Sequence, residues 1–343
     1  MIPTTTSGLI SLLFLSILTT YTTPAFGETA RALVYTATAG FRHDSIPTAI
    51  QALQARGSAV NLDFVNTEDK GVFTDQGLEG YDVVIFLSTT GEVLDDTGKT
   101  AFQNYLNNGG NFVGIHSASD TLNTTAFYGK ELGAYFDYHP ELQNATIVVL
   151  DASHPSTENL PTDWPVRDEI YNFKSDPRSV GAIVILTVDE SSYTGVDASL
   201  NDGTRRFNQG EPHPIAWYQE HGSGVASGTA GRSFYTSLGH LNETWEDELF
   251  MNHILGGIQW TLQANTTRAF NSSALVGNGG TSSSTSASSS ASASPSSTSS
   301  TSGTASASSS AAVRFAETSS ITFTAVLGAV ISIVAFLTSI CIL

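Results

Sequence analysis

The sequence predicts an α/β protein on an open, doubly wound, mostly parallel sheet, with extra strands in its second half. Two observations carry this. Short apolar runs such as residues 32–36 (ALVYT) and Val83–Leu87 (VVIFL) read as strands buried on both faces. In the first half they alternate with stretches of helical periodicity, a spacing that implies right-handed crossovers between parallel strands.

The first strand, 32–36, leads into a loop over 37–44. Ser45 and Pro47 then start a helix that shows Ala49, Ile50 and Leu53 on one face and ends before Gly57. Residues 59–65 (AVNLDFV) alternate and read as a second strand. Val83–Leu87 is the third. Asp96 opens a helix with Phe102, Tyr105 and Leu106 inward, stopped by Gly109 and Gly110. Asn111–Ile115 is the fourth strand. Further strands are expected over 145–150, 170–173, 182–188, 215–219 and 233–238, and a last helix over 245–262.

The two ends read as processing signals. Residues 1–27 resemble a secretory signal peptide, with an apolar run over 9–18 and small residues, Ala25 and Gly27, before the expected cleavage. The folded domain is expected over 28–267. Residues 268–312 form a Ser/Thr/Ala-rich stalk too poor in apolar side chains to fold. Residues 313–343 are a polar spacer and an uncharged hydrophobic tail. That pattern is the signal for a GPI anchor, with a transmembrane helix as the alternative. The expected location is the outer face of the plasma membrane, reached through the secretory pathway. Five N-x-S/T sequons, at Asn123, Asn144, Asn242, Asn265 and Asn271, are then candidate glycosylation sites.

Lys and Arg total 14 against 32 for Asp and Glu, a net charge of −18. Nucleic acid is a poor partner for that surface, because its binding begins with phosphate neutralisation. The one cysteine, Cys341, lies in the hydrophobic tail, so the domain holds no thiol nucleophile, disulfide or thiolate metal site. The expected partners are a small-molecule or carbohydrate ligand and, through the anchor, a membrane. The sequence sets no oligomeric state.

Ligands of open α/β sheets bind beyond the carboxyl ends of the strands. Polar residues at those ends are therefore the candidates. His43 follows the first strand, His116 the fourth and His240 the last. Imidazole exchanges protons near neutral pH and ligates metals. His116 occupies a Gly114-Ile115-His116-Ser117-Ala118 turn, the place of the nucleophile in a G-x-nucleophile-x-G elbow. Asp120, four residues on, can orient it or cap a turn. Arg42 can clamp a carboxylate or pair with a local acid. His139, Asp168, Glu169, Tyr171 and Trp217 are candidate substrate contacts. Of the adjacent carboxylates Asp168 and Glu169, only one can face a cleft. His154 and His213 each precede a proline and read as conformational punctuation. No H-E-x-x-H, P-loop or dinucleotide fingerprint occurs, and no cofactor is expected. A scattered His₃ or His₂–carboxylate site for a divalent metal stays open.

Several segments in order resemble the ThuA-like (trehalose utilisation) family. They are 38–45 (TAGFRHDS), 114–121 (GIHSASDT), Gly133 to Pro140, 168–171 (DEIY), 188–190, 213–218 (HPIAWY) and 232–240 (RSFYTSLGH). The resemblance spans about residues 31–262. It implies a flavodoxin-like sheet of the class I glutamine amidotransferase type, with His116 where those enzymes hold their cysteine, so thiol-based glutamine hydrolysis is not expected. It also implies a link to trehalose or keto-sugar metabolism. Residues 220–231 read as a longer loop than the family needs. Three functions follow as expectations: an enzyme acting on a carbohydrate through a His-centred site, a non-catalytic carbohydrate-binding module using aromatics such as Trp217 or Tyr138, and a metal-dependent hydrolase.

Overall fold

A computed structural model describes residues 29–195 and 205–278. β1 (Ala30–Tyr35) leads through α1 (Ile46–Gly57) to β2 (Leu62–Thr67). The chain then crosses by α2 (Asp75–Glu79) to β3 (Val83–Leu87), and by α3 (Asp96–Asn107) to β4 (Asn111–Ile115). Next come α4 (Ala126–Leu132), β5 (Phe136–Tyr138), β6 (Gln143–Val149), β7 (Asp163–Asp168) and β8 (Asn172–Phe173). β9 (Ile183–Val188), β10 (Pro214–Gln219), β11 (Ser233–Thr236), α5 (Asn242–Glu246) and α6 (Glu248–Leu262) complete it.

Nine strands form one sheet in the order β2-β1-β3-β4-β11-β10-β9-β6-β7, while β5 and β8 pair separately. From β2 to β11 every pairing is parallel; from β11 to β7 every pairing is antiparallel. This is the doubly wound sheet with added strands in the second half that the sequence predicts.

Strand residues alternate between two cores, as the period of two requires. Ala32, Val34, Val83, Ile85, Val113 and Ile115 face α1 and α6, meeting Leu53, Ile254 and Ile258. Leu33, Tyr35, Val84, Phe86 and Phe112 face α3 and α4, meeting Phe102, Leu106, Tyr128 and Leu132. The buried parallel strands therefore read as continuous apolar runs.

Departures from expectation have local causes. β2 starts at Leu62 because a 3₁₀ turn occupies Ser58–Val60 and Asn61 adopts a left-handed φ of 54°. β7 escapes the pattern reading because Pro165 interrupts it; as the edge strand, it can lose a backbone donor. Of residues 170–173, only Asn172–Phe173 is strand, and it lies outside the main sheet. The last helix is broken at Asp247, whose carboxylate accepts from Phe250 N–H at 2.9 Å and caps α6.

The packed chain also runs past the expected boundary at 267. Arg268 N–H donates to Val276 O and Gly277 N–H to Glu79 O, while Val276 is buried. The loop 220–231 closes over Glu131, whose buried carboxylate accepts from Gly224 N–H at 3.1 Å. The leader (1–27), most of the stalk and the hydrophobic tail lie outside the described residues. Among the described residues no helix is long and apolar enough to cross a membrane.

Candidate functional site

The order of the strands reverses about β1, so the crevice between the carboxyl ends of β1 and β3 is the expected ligand position. The loop after β1 carries His43 and is tied to the loop after β3: Ala39 N–H donates to Thr90 O at 2.7 Å. His116 follows β4 directly and takes a left-handed φ of 55°. For a non-glycine residue that conformation costs on the order of 1–3 kcal/mol, a strain that clusters at functional sites. His240 follows β11 after Gly239, whose φ of 133° suits glycine. Glu169 follows β7.

These four side chains converge. His116 Nε2 lies 3.0 Å from His43 Nε2 and 3.5 Å from Glu169 Oε2. His240 Nδ1 lies 3.1 Å from the same carboxylate oxygen. That approach is off the line a hydrogen bond needs, so this buried nitrogen has no hydrogen-bond partner. One donor atom from each of the four falls within 4.8 Å of all the others. A tetrahedral zinc ion about 2.1 Å from each ligand would set them about 3.4 Å apart, close to the three separations above.

Protonation follows from the partners. His116 Nδ1 faces the Ser237 carbonyl at 2.7 Å and must donate to it. Its Nε2 therefore offers a lone pair to the centre in the neutral ring. Tyr171 completes that contact: its hydroxyl is 3.1 Å from His116 Nε2 and its ring stacks on the imidazole. Burial, reinforced by repulsion from His116 and His240, pushes His43 down to about 2, so it is neutral. Burial acts to raise Glu169, but His116 and His240 outweigh it and hold the carboxyl well below the usual range. Burial likewise opposes protonation of His240, yet Glu169 raises it. A carboxylate thus sits among imidazoles whose nitrogens compete for one small volume, which suits a bound cation.

A second layer positions this set. Asp168 is buried and accepts N–H bonds from Gly239 at 2.9 Å, Glu169 at 2.8 Å and His240 at 3.3 Å, joining the two segments that carry His240 and Glu169. His139 lies at the rim, its Nδ1 donating to Pro140 O at 2.8 Å and its Nε2 3.4 Å from Glu169 Oε1. His213, read as punctuation, bonds Tyr171 O at 2.8 Å and Glu190 Oε1 at 2.8 Å. It backs the segment bearing Tyr171.

Three of the candidate residues sit elsewhere. Asp120 does not orient His116; the 3₁₀ turn His116–Asp120 directs it to Asn123, whose Nδ2 donates to it at 3.0 Å. Arg42 is exposed and pairs with Glu68 at 2.7 Å. Trp217 is wholly buried between Phe173 and Tyr235, donating to Leu132 O at 2.7 Å, because β10 is an interior strand covered on both faces. Tyr138 is buried as well, so neither aromatic offers an open binding platform. The sequence left a scattered His₃ or His₂–carboxylate site open without assigning its members; among the described residues His43, His116, Glu169 and His240 form a group that could hold a metal ion.

Fold and site together define an α/β domain of the glutamine amidotransferase-like architecture with three imidazoles and a carboxylate gathered near the carboxyl ends of its strands. The chain belongs to the ThuA family, described as trehalose utilisation, whose model matches residues 31–261. A ThuA-like protein of Bacteroides uniformis shares the fold, with TM-score 0.55 and 21% identity over 72% of this chain and 97% of that one. A ThuA-like protein of Parabacteroides merdae aligns with TM-score 0.48 and 17% identity over 68% of this chain and 90% of that one. No curated protein matches the chain.

Proposed function

We propose that the chain is a carbohydrate-active ThuA protein whose chemistry takes place at a divalent-metal centre held by His43, His116, His240 and Glu169. The observation that carries this reading is the approach of four donor atoms within 4.8 Å, one of them a buried nitrogen without a hydrogen bond. Membership of a family described as trehalose utilisation supports the carbohydrate class. A bound ion would polarise a sugar hydroxyl or carbonyl oxygen, or acidify a bound water. His139, a third exposed with its Nδ1 held by Pro140 and its Nε2 3.4 Å from Glu169, stands at the rim where a substrate would approach. The test is metal analysis of the full-length protein. We expect near-stoichiometric transition metal, lost in His116→Ala with the fold retained, and turnover of trehalose or a keto-sugar abolished by chelation. Turnover that persists in metal-free protein would refute the metal centre.

We propose further that the domain is glycosylated and displayed outside the cell on a lipid anchor. The five sequon asparagines support this, since all are exposed on the described surface. Enzymatic removal of N-glycans should lower the mass of protein from its native host. Release of the protein from membranes by a phosphatidylinositol-specific phospholipase should follow; retention would favour the transmembrane tail.

A further inference from the structure

Phe41 is 66% exposed, more than any other large apolar side chain among the described residues. Single exposed apolar groups are ordinary on protein surfaces. The position of this one is not. Its ring stands 4.8 Å from the ring of His43, edge to face at 78°, and His43 in turn contacts the rings of His116 and His240. An apolar wall is thus set beside the polar centre, on the loop that supplies one of its donors.

The wall is held in place. The Phe41 carbonyl accepts from the Thr90 hydroxyl at 2.7 Å, and Gly40 N–H donates to the Thr90 hydroxyl oxygen at 3.2 Å. On the other side, Arg42 is anchored to Glu68. The backbone is bonded to Thr90 at Ala39, at Gly40 and at Phe41 itself, so Phe41 is presented to solvent by a tied loop.

We infer that Phe41 is a substrate-stacking residue that selects sugars in ring form. This deepens the carbohydrate reading above and rests on it. A pyranose has an apolar face of C–H groups and an edge of hydroxyls. The face packs on an aromatic ring, whose negative π-cloud meets the polarised hydrogens; the edge is left free to reach the histidine–carboxylate set. An open-chain polyol carries the same hydroxyls but no such face. The wall therefore strengthens binding of the first kind of ligand and leaves the second unaffected.

The test is calorimetric titration of full-length protein with trehalose and with sorbitol, in wild type, Phe41→Ala and Phe41→Trp, with metal content measured alongside. In Phe41→Ala, trehalose affinity should fall about tenfold, the scale of a lost aromatic contact. Any sorbitol binding and the metal content should hold, and Phe41→Trp should keep trehalose binding near wild type. Unchanged trehalose affinity in Phe41→Ala would overturn the stacking role alone. So would a parallel loss of both ligands and the metal, which would mark a structural role. Wild-type protein that binds trehalose no better than Phe41→Ala because it binds none would remove the carbohydrate reading itself, and this inference with it.

Discussion

His154 and His253 are as buried as His43 and His116, with exposures of 5% and 0% against 4% and 0%, yet their surroundings differ in kind. His154 stacks on Tyr218 at 4.6 Å and lies against Trp260. His253 is enclosed by Trp164, Phe234 and Phe250. Each bonds Ser156 through Nδ1 and neither bonds a carboxylate. Burial lowers both to about 4, so they are neutral core side chains. The other group has a carboxylate at its heart and ring nitrogens that point at one another. Burial of a histidine is thus common to both regions. Convergence of donors on a shared volume is what separates a site from a core.

The comparison breaks most sharply under exchange of alanines. His240→Ala should weaken metal binding by more than the roughly 100-fold that outer-layer partners can command, with the metal-free protein melting near wild type. His253→Ala should keep the metal and lose about 2–4 kcal/mol of stability through the cavity it leaves. Metal titration and chemical denaturation of both variants decide it; identical profiles would erase the distinction.

A pH test sharpens the core side of it. For His154 and His253 the folded value, about 4, lies below the ordinary histidine value. The unfolded chain then binds more protons between about 6.5 and 4. Their contribution is therefore complete above pH 6.5 and is lost as pH falls through that window, on the order of 3 kcal/mol for each ring. Denaturation in the presence of chelator should show this loss, and His253→Leu should reduce it by one ring's share while that of His154 remains.

A smaller change probes the second layer. Asp168→Asn keeps the shape but weakens the acceptor that holds the backbones of Gly239, His240 and Glu169. Metal affinity should fall roughly 10- to 100-fold with all four ligands present; an unaltered affinity would show that Asp168 does not position them. The smallest effect is expected from Arg42→Ala. Both side chains of its pair with Glu68 are about half exposed, so stability should change by less than about 1 kcal/mol and metal content not at all.

Much of the site was legible from the chain because apolar strands are easy to find and their carboxyl ends mark where ligands bind. His43, His116 and His240 were all located that way. Glu169 was located less directly: adjacent acids cannot share a face, but which of the two turns inward depends on β7, and Pro165 hid that strand. The orientation expected of Asp120 relied on four-residue spacing, which holds in an α-helix and fails in the 3₁₀ turn that is present. Trp217 reads as a contact residue in the sequence because a single strand does not reveal whether it lies at an edge or in the interior of a sheet.

By itself, then, the sequence determined the alternation of strand and helix, the family, and the three imidazoles at strand ends. These depend on local periodicity and on short motifs. Tertiary structure alone decided that β4 and β11 lie side by side and that β7 closes the far edge, so that a glutamate and three histidines distant in the chain meet within 4.8 Å. The physical reason is that strand order and side-chain direction are set by packing between elements, and no single segment encodes it.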